Sequence, residues 1–365
     1  MALTVRSIRL ENFRSFPLLS EELSEGLTVL SGPNAVGKTN TVEALRIVTG
    51  GRSLRSSRPA ELIRQGCSTA ALAATLEGDG RVLDVLVEIE PGRKRYRLNG
   101  KPAQAQALSG ILPSIPFTPD DLVFSKGSAS HRRQEIDAFG AQVSKGYDKV
   151  SRAYAKAVEQ RNALLRSDMP DPALLDAWDE SLSIGAASLL HHRLGLFERI
   201  ARKATAVHAE ISGGEELEVR YESSLGELGE ADREGLQALM AGALSRARGD
   251  DLRRQTTTVG PQKDDIAFLI DGRDLRAYGS QGQQRSVVLS WKMAEVLVCQ
   301  EVTGERPLLL LDDVMSELDA TRRAAMMDFI ETGIQTVVTT TNLGYFSDEV
   351  LGRAKVVMMD VADRP

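Results

Sequence analysis

Apolar and charged residues alternate over residues 5–10, the pattern of a half-buried strand. Residues 26–32, GLTVLSG, instead form a continuous apolar run, which predicts a buried strand ending at a glycine. Residues 38–48 then carry Val42, Leu45 and Val48 at helical spacing. Residues 70–76 and 81–89 predict two strands joined by the turn Gly78-Asp79-Gly80. Residues 96–98, with the turn Asn99-Gly100, predict a third strand returning as a hairpin. This stretch reads as a small antiparallel sheet beside a strand–loop–helix unit.

The texture changes near residue 128. Tyr147, Val150, Tyr154, Ala157, Arg161 and Leu164 step by three and four. Asp171-Pro172 is a helix start, with Asp as cap and Pro in the first turn. Leu182, Ala186, Leu189, Phe197, Ile200, Ala204, Val207 and Ile211 continue it as one apolar stripe. Two long helices joined near residues 167–171 predict an antiparallel arm, with a short strand at 217–221 and a third helix over 231–248. The same pattern is compatible with more helical core. Strands return past residue 257, at 265–270, 308–311 and 336–340, with a helix over 283–303 after the first. Strands interleaved with helices at both ends predict an α/β fold. The expected division is 1–127, a helical insertion 128–255, and 256–365.

Composition narrows the class without choosing a function. Of 365 residues, 42% are hydrophobic and 26% charged, as in a globular protein with a sizeable core. No apolar run approaches the roughly 20 residues that span a bilayer, and residues 1–6 lack a signal-peptide core, so a cytoplasmic location is expected. Cys67 and Cys299 make neither a disulfide framework nor a metal site, and the adjacent His191 and His192 would diverge on a helix. A net charge of −6 excludes a uniformly basic coat but allows a basic stripe. Arg52, Arg55 and Arg58 recur every three residues; Arg93-Lys94-Arg95 with Arg97, Arg132-Arg133 and Arg253-Arg254 form further clusters. Each alone reads as a solvated face. Together they suit a DNA-facing surface, with Arg52, Arg55, Arg58, Arg132 and Arg133 as candidate contacts.

Three segments carry the chemistry. Gly32-Pro33-Asn34-Ala35-Val36-Gly37-Lys38-Thr39 fits the phosphate-loop pattern, with a strand before it and a helix after it. Its backbone N–H groups would cradle phosphate, Lys38 would reach the β- and γ-phosphates, and Thr39 would hold Mg²⁺. ATP and Mg²⁺ are the expected cofactors. The apolar run 308–311 ends in Asp312-Asp313, which sets carboxylates at the carboxyl edge of a parallel sheet, where ligands bind. Asp312 is the candidate Mg²⁺ partner and Asp313, with Lys38, the candidate catalytic residue. The third segment, Tyr278-Gly279-Ser280-Gln281-Gly282-Gln283-Gln284-Arg285, is a polar turn opening a helix. It reads equally as a second anion site or as an ordinary cap on Ser280.

Ser280-Gln281-Gly282-Gln283-Gln284 resembles a variant of the signature motif of ABC-type ATPases. The order of phosphate loop, long insertion, signature, acidic strand and Ser316-Glu317-Leu318-Asp319 resembles the whole ABC head. The opening Leu10-Glu11-Asn12-Phe13-Arg14-Ser15-Phe16 and the loop end Gly37-Lys38-Thr39-Asn40 are similar to the SMC and RecF branch. Ser280–Arg285, Asp312-Asp313, Pro119-Asp120-Asp121-Leu122 and the chain length are most similar to the RecF family of bacterial recombination-repair ATPases. The resemblance implies an ABC-type P-loop ATPase head, a mixed sheet with flanking helices, carrying an inserted helical arm. It implies nucleotide contacts at Arg14, Ser15, Gly32, Asn34, Gly37, Lys38, Thr39 and Asn40, and a signature, Ser280 to Gln283, that reaches the γ-phosphate held by a second copy. Asp319 would lie at the dimer seam. The implied function is an ATP-dependent homodimer that binds gapped or double-stranded DNA, hydrolyses ATP slowly, and works with RecR and RecO to load RecA.

The pattern also departs from that group. Asp313 stands where most such heads have Glu, Thr340 and Thr341 stand where transporters have a switch histidine, and residues 118–122 are the candidate for the glutamine-bearing loop. Two alternatives share the head chemistry: the ATP-binding subunit of a membrane transporter, and a nonhydrolysing ATP-gated scaffold.

Overall fold

The computed structural model describes residues 3–50, 53, 58–108 and 110–360. They divide into two compact units, residues 1–122 with 292–365, and residues 123–291. One boundary falls inside the helix Gln281–Thr303.

The first unit holds two sheets around one core. Five parallel strands run in the order Lys355–Met358, Leu27–Ser31, Thr336–Thr340, Leu308–Asp312 and Ser114–Phe117. Thr336–Thr340 and Leu308–Asp312 are buried at every position, because both faces of a parallel sheet are covered. Thr336–Thr340 lies between the strand that feeds the phosphate loop and the strand that ends in aspartates. Its register pairs Thr339 with Asp312 on one side and Thr340 with Ser31 on the other.

Six antiparallel strands form the second sheet, in the order Phe16–Glu22, Thr4–Phe13, Ala70–Gly78, Arg81–Glu90, Arg93–Leu98 and Lys101–Ala103. Ala70–Gly78 alternates buried and half-buried positions, so one face reaches the core. Ile8, Leu10, Leu72, Val85 and Val87 there join Val42, Leu45, Ile47 and Val48 of the helix Lys38–Val48. The first strand bulges between Val5 and Ser7. The buried Gln335 amide satisfies the backbone that this frees: it accepts from Val5 N–H and donates to Val5 O, each at 2.8 Å.

The second unit contains the helices Ala129–Val143, Lys145–Leu165, Pro172–Ile211 and Arg233–Arg254 and a three-stranded antiparallel sheet of Leu217–Glu222, Asp265–Ile270 and Arg273–Asp274. Pro172–Ile211 has 40 residues, about 60 Å of helix. It starts as its sequence demands, with Asp171 accepting from Ala173 N–H at 2.8 Å and Pro172 in the first turn. This unit does not end at residue 255. Asp265–Ile270 pairs with Leu217–Glu222 over six residues, which keeps residues 256–291 with the helices.

Several elements are short, and periodicity does not announce them: the strands Phe16–Glu22, Ser114–Phe117 and Lys355–Met358, and the helix Ala320–Ile330. Charge is the larger surprise. Arg132, a candidate DNA contact, is fully buried. Its guanidinium lies bidentate on Asp265 (2.7 and 2.9 Å) and donates to the Phe124 and Gly127 carbonyls. That corrects the expectation: Arg132 is a structural arginine. Arg133 is half-buried and donates to the Asp264 carbonyl. Arg161, which looked like part of an apolar helical stripe, is fully buried between Asp179 and Asp251, each at 2.6 Å, and reaches Thr257 Oγ1 at 3.0 Å.

Removing one member of such a buried pair strands the others without compensation. Arg161→Ala is therefore expected to destabilise the second unit by about 3–5 kcal/mol, measured as the shift of its urea transition. A loss below about 1 kcal/mol would place Arg161 among weakly contributing surface pairs.

Candidate nucleotide site and signature turn

The strand Leu27–Ser31 delivers the chain into the loop, and Gly32 N–H bonds back to Thr340 O at 3.3 Å. Two glycines are required by space. A Cβ on Gly32 would sit 2.3 Å from the Met359 carbonyl oxygen. One on Gly37 would sit 2.3 Å from Phe16 Cζ, at a backbone φ of 113°. Asn34 is exposed at the loop tip, beside Ala35 with φ 66°. Lys38 folds back over the loop and donates to the carbonyls of Gly32 (2.7 Å) and Pro33 (2.9 Å). Burial lowers its pKa, partly offset by Asp313 and Asp312.

The loop is joined to the acidic strand by a single carboxylate oxygen. Asp312 Oδ1 accepts from Thr39 Oγ1 at 3.0 Å and from Thr339 Oγ1 at 2.7 Å. Thr339 Oγ1 in turn accepts from Asp313 N–H at 2.9 Å. Asp313 takes a left-handed backbone conformation, φ 54°, which Asp tolerates better than most residues. Its Oδ1 is buried with no hydrogen-bond partner. Burial pushes its pKa up, opposed by Lys38 and reinforced by Asp312 and Glu317. Among the described residues no group of three metal-ligating side chains exists. A Mg²⁺ that keeps most of its waters and takes ligands from phosphates needs only the Thr39 hydroxyl and the Asp312 carboxylate. The orphaned Asp313 oxygen and the glycines packed without room for a Cβ fit a nucleotide–metal pair.

The tight turn Arg14-Ser15, between Phe13 and Phe16, is fastened to the helix after the loop. Arg14 has φ 52°. Its guanidinium is bidentate on the buried Glu43, both contacts at 2.9 Å, and reaches Glu61 O at 2.6 Å. Asn40 Nδ2 donates to Ser15 Oγ at 2.9 Å. Ser53 also donates to Glu43. Lys94 lies close enough to feel both Glu43 and Arg14, and burial lowers its pKa. Sequence reading missed Glu43 and Thr339. The signal was available: an acid among the apolar positions Val42, Leu45 and Val48 of the helix, and a hydroxyl in a strand read only as core.

In the second unit, Ser280 is exposed and opens the helix Gln281–Thr303. Its Oγ accepts from Gln283 N–H (3.1 Å), and Gln283 Oε1 accepts from Ser280 N–H (2.8 Å), a reciprocal capping box. Gln281 is exposed and Gly282 half-exposed. Asp319 is exposed and caps the helix Ala320–Ile330 through Arg322 N–H at 2.9 Å. In the candidate glutamine loop, Thr118 N–H and Oγ1 both donate to Asp121 (2.7 and 2.8 Å), whose other oxygen pairs with the buried Lys292 at 3.2 Å. Thr340 Oγ1 donates to Asn342 O at 3.0 Å, at the end of the interposed strand. Of the basic candidates, Arg58 is exposed and pairs with Glu61 at 3.7 Å. Arg52 and Arg55 lie outside the described residues.

A parallel sheet with a phosphate loop on one strand, aspartates on another and a hydroxyl strand between them defines a P-loop nucleotide-binding head of the ABC and SMC kind. The family model of the RecF/RecN/SMC N terminal domain matches residues 4–360. The chain is 37% identical to the DNA replication and repair protein RecF of Gloeobacter violaceus over 98% of this chain and 96% of that protein. It is 39% identical to the RecF of Symbiobacterium thermophilum over 92% and 91%. A solved structure of the recombination mediator protein RecF-ATP in the RecFOR pathway has a TM-score of 0.88 at 31% identity, covering 95% of this chain and 93% of that one. An Smc head domain from Pyrococcus furiosus, at 18% identity and TM-score 0.56, shares the fold. The chain belongs to the RecF family.

The raised pKa of Asp313 carries a pH signature. The folded chain holds this proton more tightly than the unfolded chain, so ionising it in place costs stability. The cost is absent below the ordinary aspartate value of 3.8 and grows as pH rises through the raised one. Without nucleotide, Asp313→Asn is thus expected to raise Tm at pH 7, with the gain fading toward pH 4. A gain that persists or grows at pH 4 would contradict the assignment.

Proposed function

We propose that the chain is an ATP-gated DNA-binding protein of recombinational repair, in which ATP joins two copies and slow hydrolysis releases them. The observation that supports this most directly is the Thr39–Asp312 contact of 3.0 Å. It brings a phosphate loop and an acidic strand 273 residues apart into one site suited to Mg²⁺ and ATP. Thr39 and Asp312 would hold Mg²⁺, which would supply charge neutralisation at the phosphates. Lys38 exchanges its two carbonyl partners for phosphate oxygens. Asp313 offers its free carboxylate oxygen to the attacking water. Its side chain is one methylene shorter than the usual Glu, so the water is held less closely and turnover is slow.

The exposed Ser280 hydroxyl spends an acceptor lone pair on its own cap and keeps its proton. That proton, with the helix-start N–H groups, suits the γ-phosphate of a nucleotide held by a second copy. Asp319 belongs at the same seam. The relatives are named for DNA replication and repair and for the RecFOR pathway. Those names favour DNA repair over the transporter alternative, and the family resemblance further implies gapped or double-stranded DNA as substrate, RecR and RecO as partners and RecA loading as outcome. For DNA, the strand Arg93–Leu98 turns Arg93, Arg95 and Arg97 outward on one face, where they pair with Glu88 and Glu90 near the surface.

Lys38→Met is expected to weaken ATP binding about 10- to 100-fold, the worth of one or two charge-assisted hydrogen bonds. Ser280→Arg is expected to bind ATP normally and stay monomeric. An ATP-binding titration checks the first and sedimentation with ATP the second, and an ATP-dependent dimer of the Ser280 variant would refute the trans contact.

DNA affinity should fall steeply with salt. Alanine at Arg93, Arg95 and Arg97 together should flatten the log–log slope by about 2–3. An unchanged slope in a titration from low to moderate salt would remove this face from the DNA contact.

A further inference from the structure

The signature turn is not self-sufficient. Its cap depends on the Gln283 side-chain amide presenting oxygen, not nitrogen, to Ser280 N–H. A terminal amide torsion is soft and roughly two-fold, and the flipped amide would set donor against donor. Ser280 N–H favours the oxygen at one end, and an acceptor at the far end of the amide reinforces that choice. There, Gln283 Nε2 donates to Glu215 Oε1 at 2.9 Å. That acceptor oxygen holds the amide nitrogen on its side and so keeps Oε1 turned toward Ser280.

Glu215 is itself tightly placed. It follows the last turn of the helix Pro172–Ile211 through Gly213 and Gly214, both left-handed at φ 72° and 110°. Ser212 Oγ donates to its carbonyl at 3.1 Å. The next residue, Glu216, exchanges two 3.0 Å hydrogen bonds with Asp271. The buried His208, one turn from the helix end, closes the other side, with Nε2 at 3.9 Å from Glu215 Oε2 and Nδ1 at 3.3 Å from Ser290 Oγ. Ser290 lies on the helix that the signature opens.

We infer that Glu215 is the positioning residue of the signature turn, tying the geometry of Ser280 to the end of the helix Pro172–Ile211. The inference rests on the reading that Ser280 acts on a second copy's ATP. Glu215 touches no nucleotide. It acts through Gln283, so a change at the end of this long helix alters the affinity of one copy for the other while leaving that copy's own phosphate loop intact.

Amide hydrogen exchange, ATP binding and ATP-dependent sedimentation on the full chain test this together. In Glu215→Ala without nucleotide, the Ser280 and Gln283 amides are expected to exchange about tenfold faster, the loss of about one hydrogen bond's net worth. ATP affinity is expected to stay unchanged, and the ATP-dependent dimer to weaken about tenfold. Glu215→Gln keeps an acceptor oxygen and should restore exchange and dimerisation to near wild type. Wild-type exchange in Glu215→Ala overturns the inference, as does a Gln variant that behaves like Ala. Wild-type protein that dimerises with ATP, beside a Glu215→Ala that dimerises equally well, overturns this inference alone. Wild-type protein that stays monomeric with ATP overturns the dimer reading and this inference with it.

Discussion

One carboxylate oxygen holds the head chemistry together. Asp312 Oδ1 receives the hydroxyls of Thr39 and Thr339 at once, and the same Thr339 hydroxyl receives Asp313 N–H. The loop, Asp313 and an interposed strand are thereby registered through one carboxylate oxygen and the Thr339 hydroxyl. Buried hydroxyls are costly without partners, so each of these groups constrains the others. The sheet order follows from this demand. The strand Thr336–Thr340 must lie between Leu27–Ser31 and Leu308–Asp312, since only there can one of its side chains reach the carboxylate while its backbone receives the phosphate-loop glycine.

Much of this head was legible in the sequence, because its signals are local and chemical. A glycine-bounded loop followed by Lys38-Thr39, and an apolar strand ending in two acids, each point to their place without knowledge of the partner. What joins them was not legible. Thr339 reads as one more small residue in a buried run, and Glu43 as an anomaly in a helix. Their roles exist only once strands 27–31, 308–312 and 336–340 are in register. Gln335 shows the same limit: nothing local says that a polar residue at the start of a strand will satisfy a bulge some 330 residues away in the chain.

Charge misled the reading most in the second unit. Arg132 reads as part of a solvated basic cluster, yet it is buried, as are Arg161 and Arg193. Arg193 grips Asp137 with two nitrogens (3.0 and 2.9 Å) and reaches Tyr221 and the Pro261 carbonyl. Burial lifts the Tyr147 and Tyr221 hydroxyls far above their usual pKa, so both stay neutral hydrogen-bond donors in this network. Such pairs contribute little net stability against apolar packing, but they tolerate few alternative geometries. They suit a unit in which helix ends and a three-stranded sheet must meet in one arrangement.

That requirement gives the signature turn its character. Ser280 with Gln283 alone would make an ordinary capping box. The acceptor at Glu215, delivered by two left-handed glycines at the end of a 40-residue helix, makes the cap conditional on structure far along the chain. The phosphate loop has no such dependence, since Lys38, Thr39, Asp312 and Asp313 are all fixed within the first unit. The two halves of the proposed ATP contact would therefore differ in kind. One is rigid and complete in itself. The other is set by an amide whose orientation rests on a single carboxylate, so control over the second half needs no change in the first.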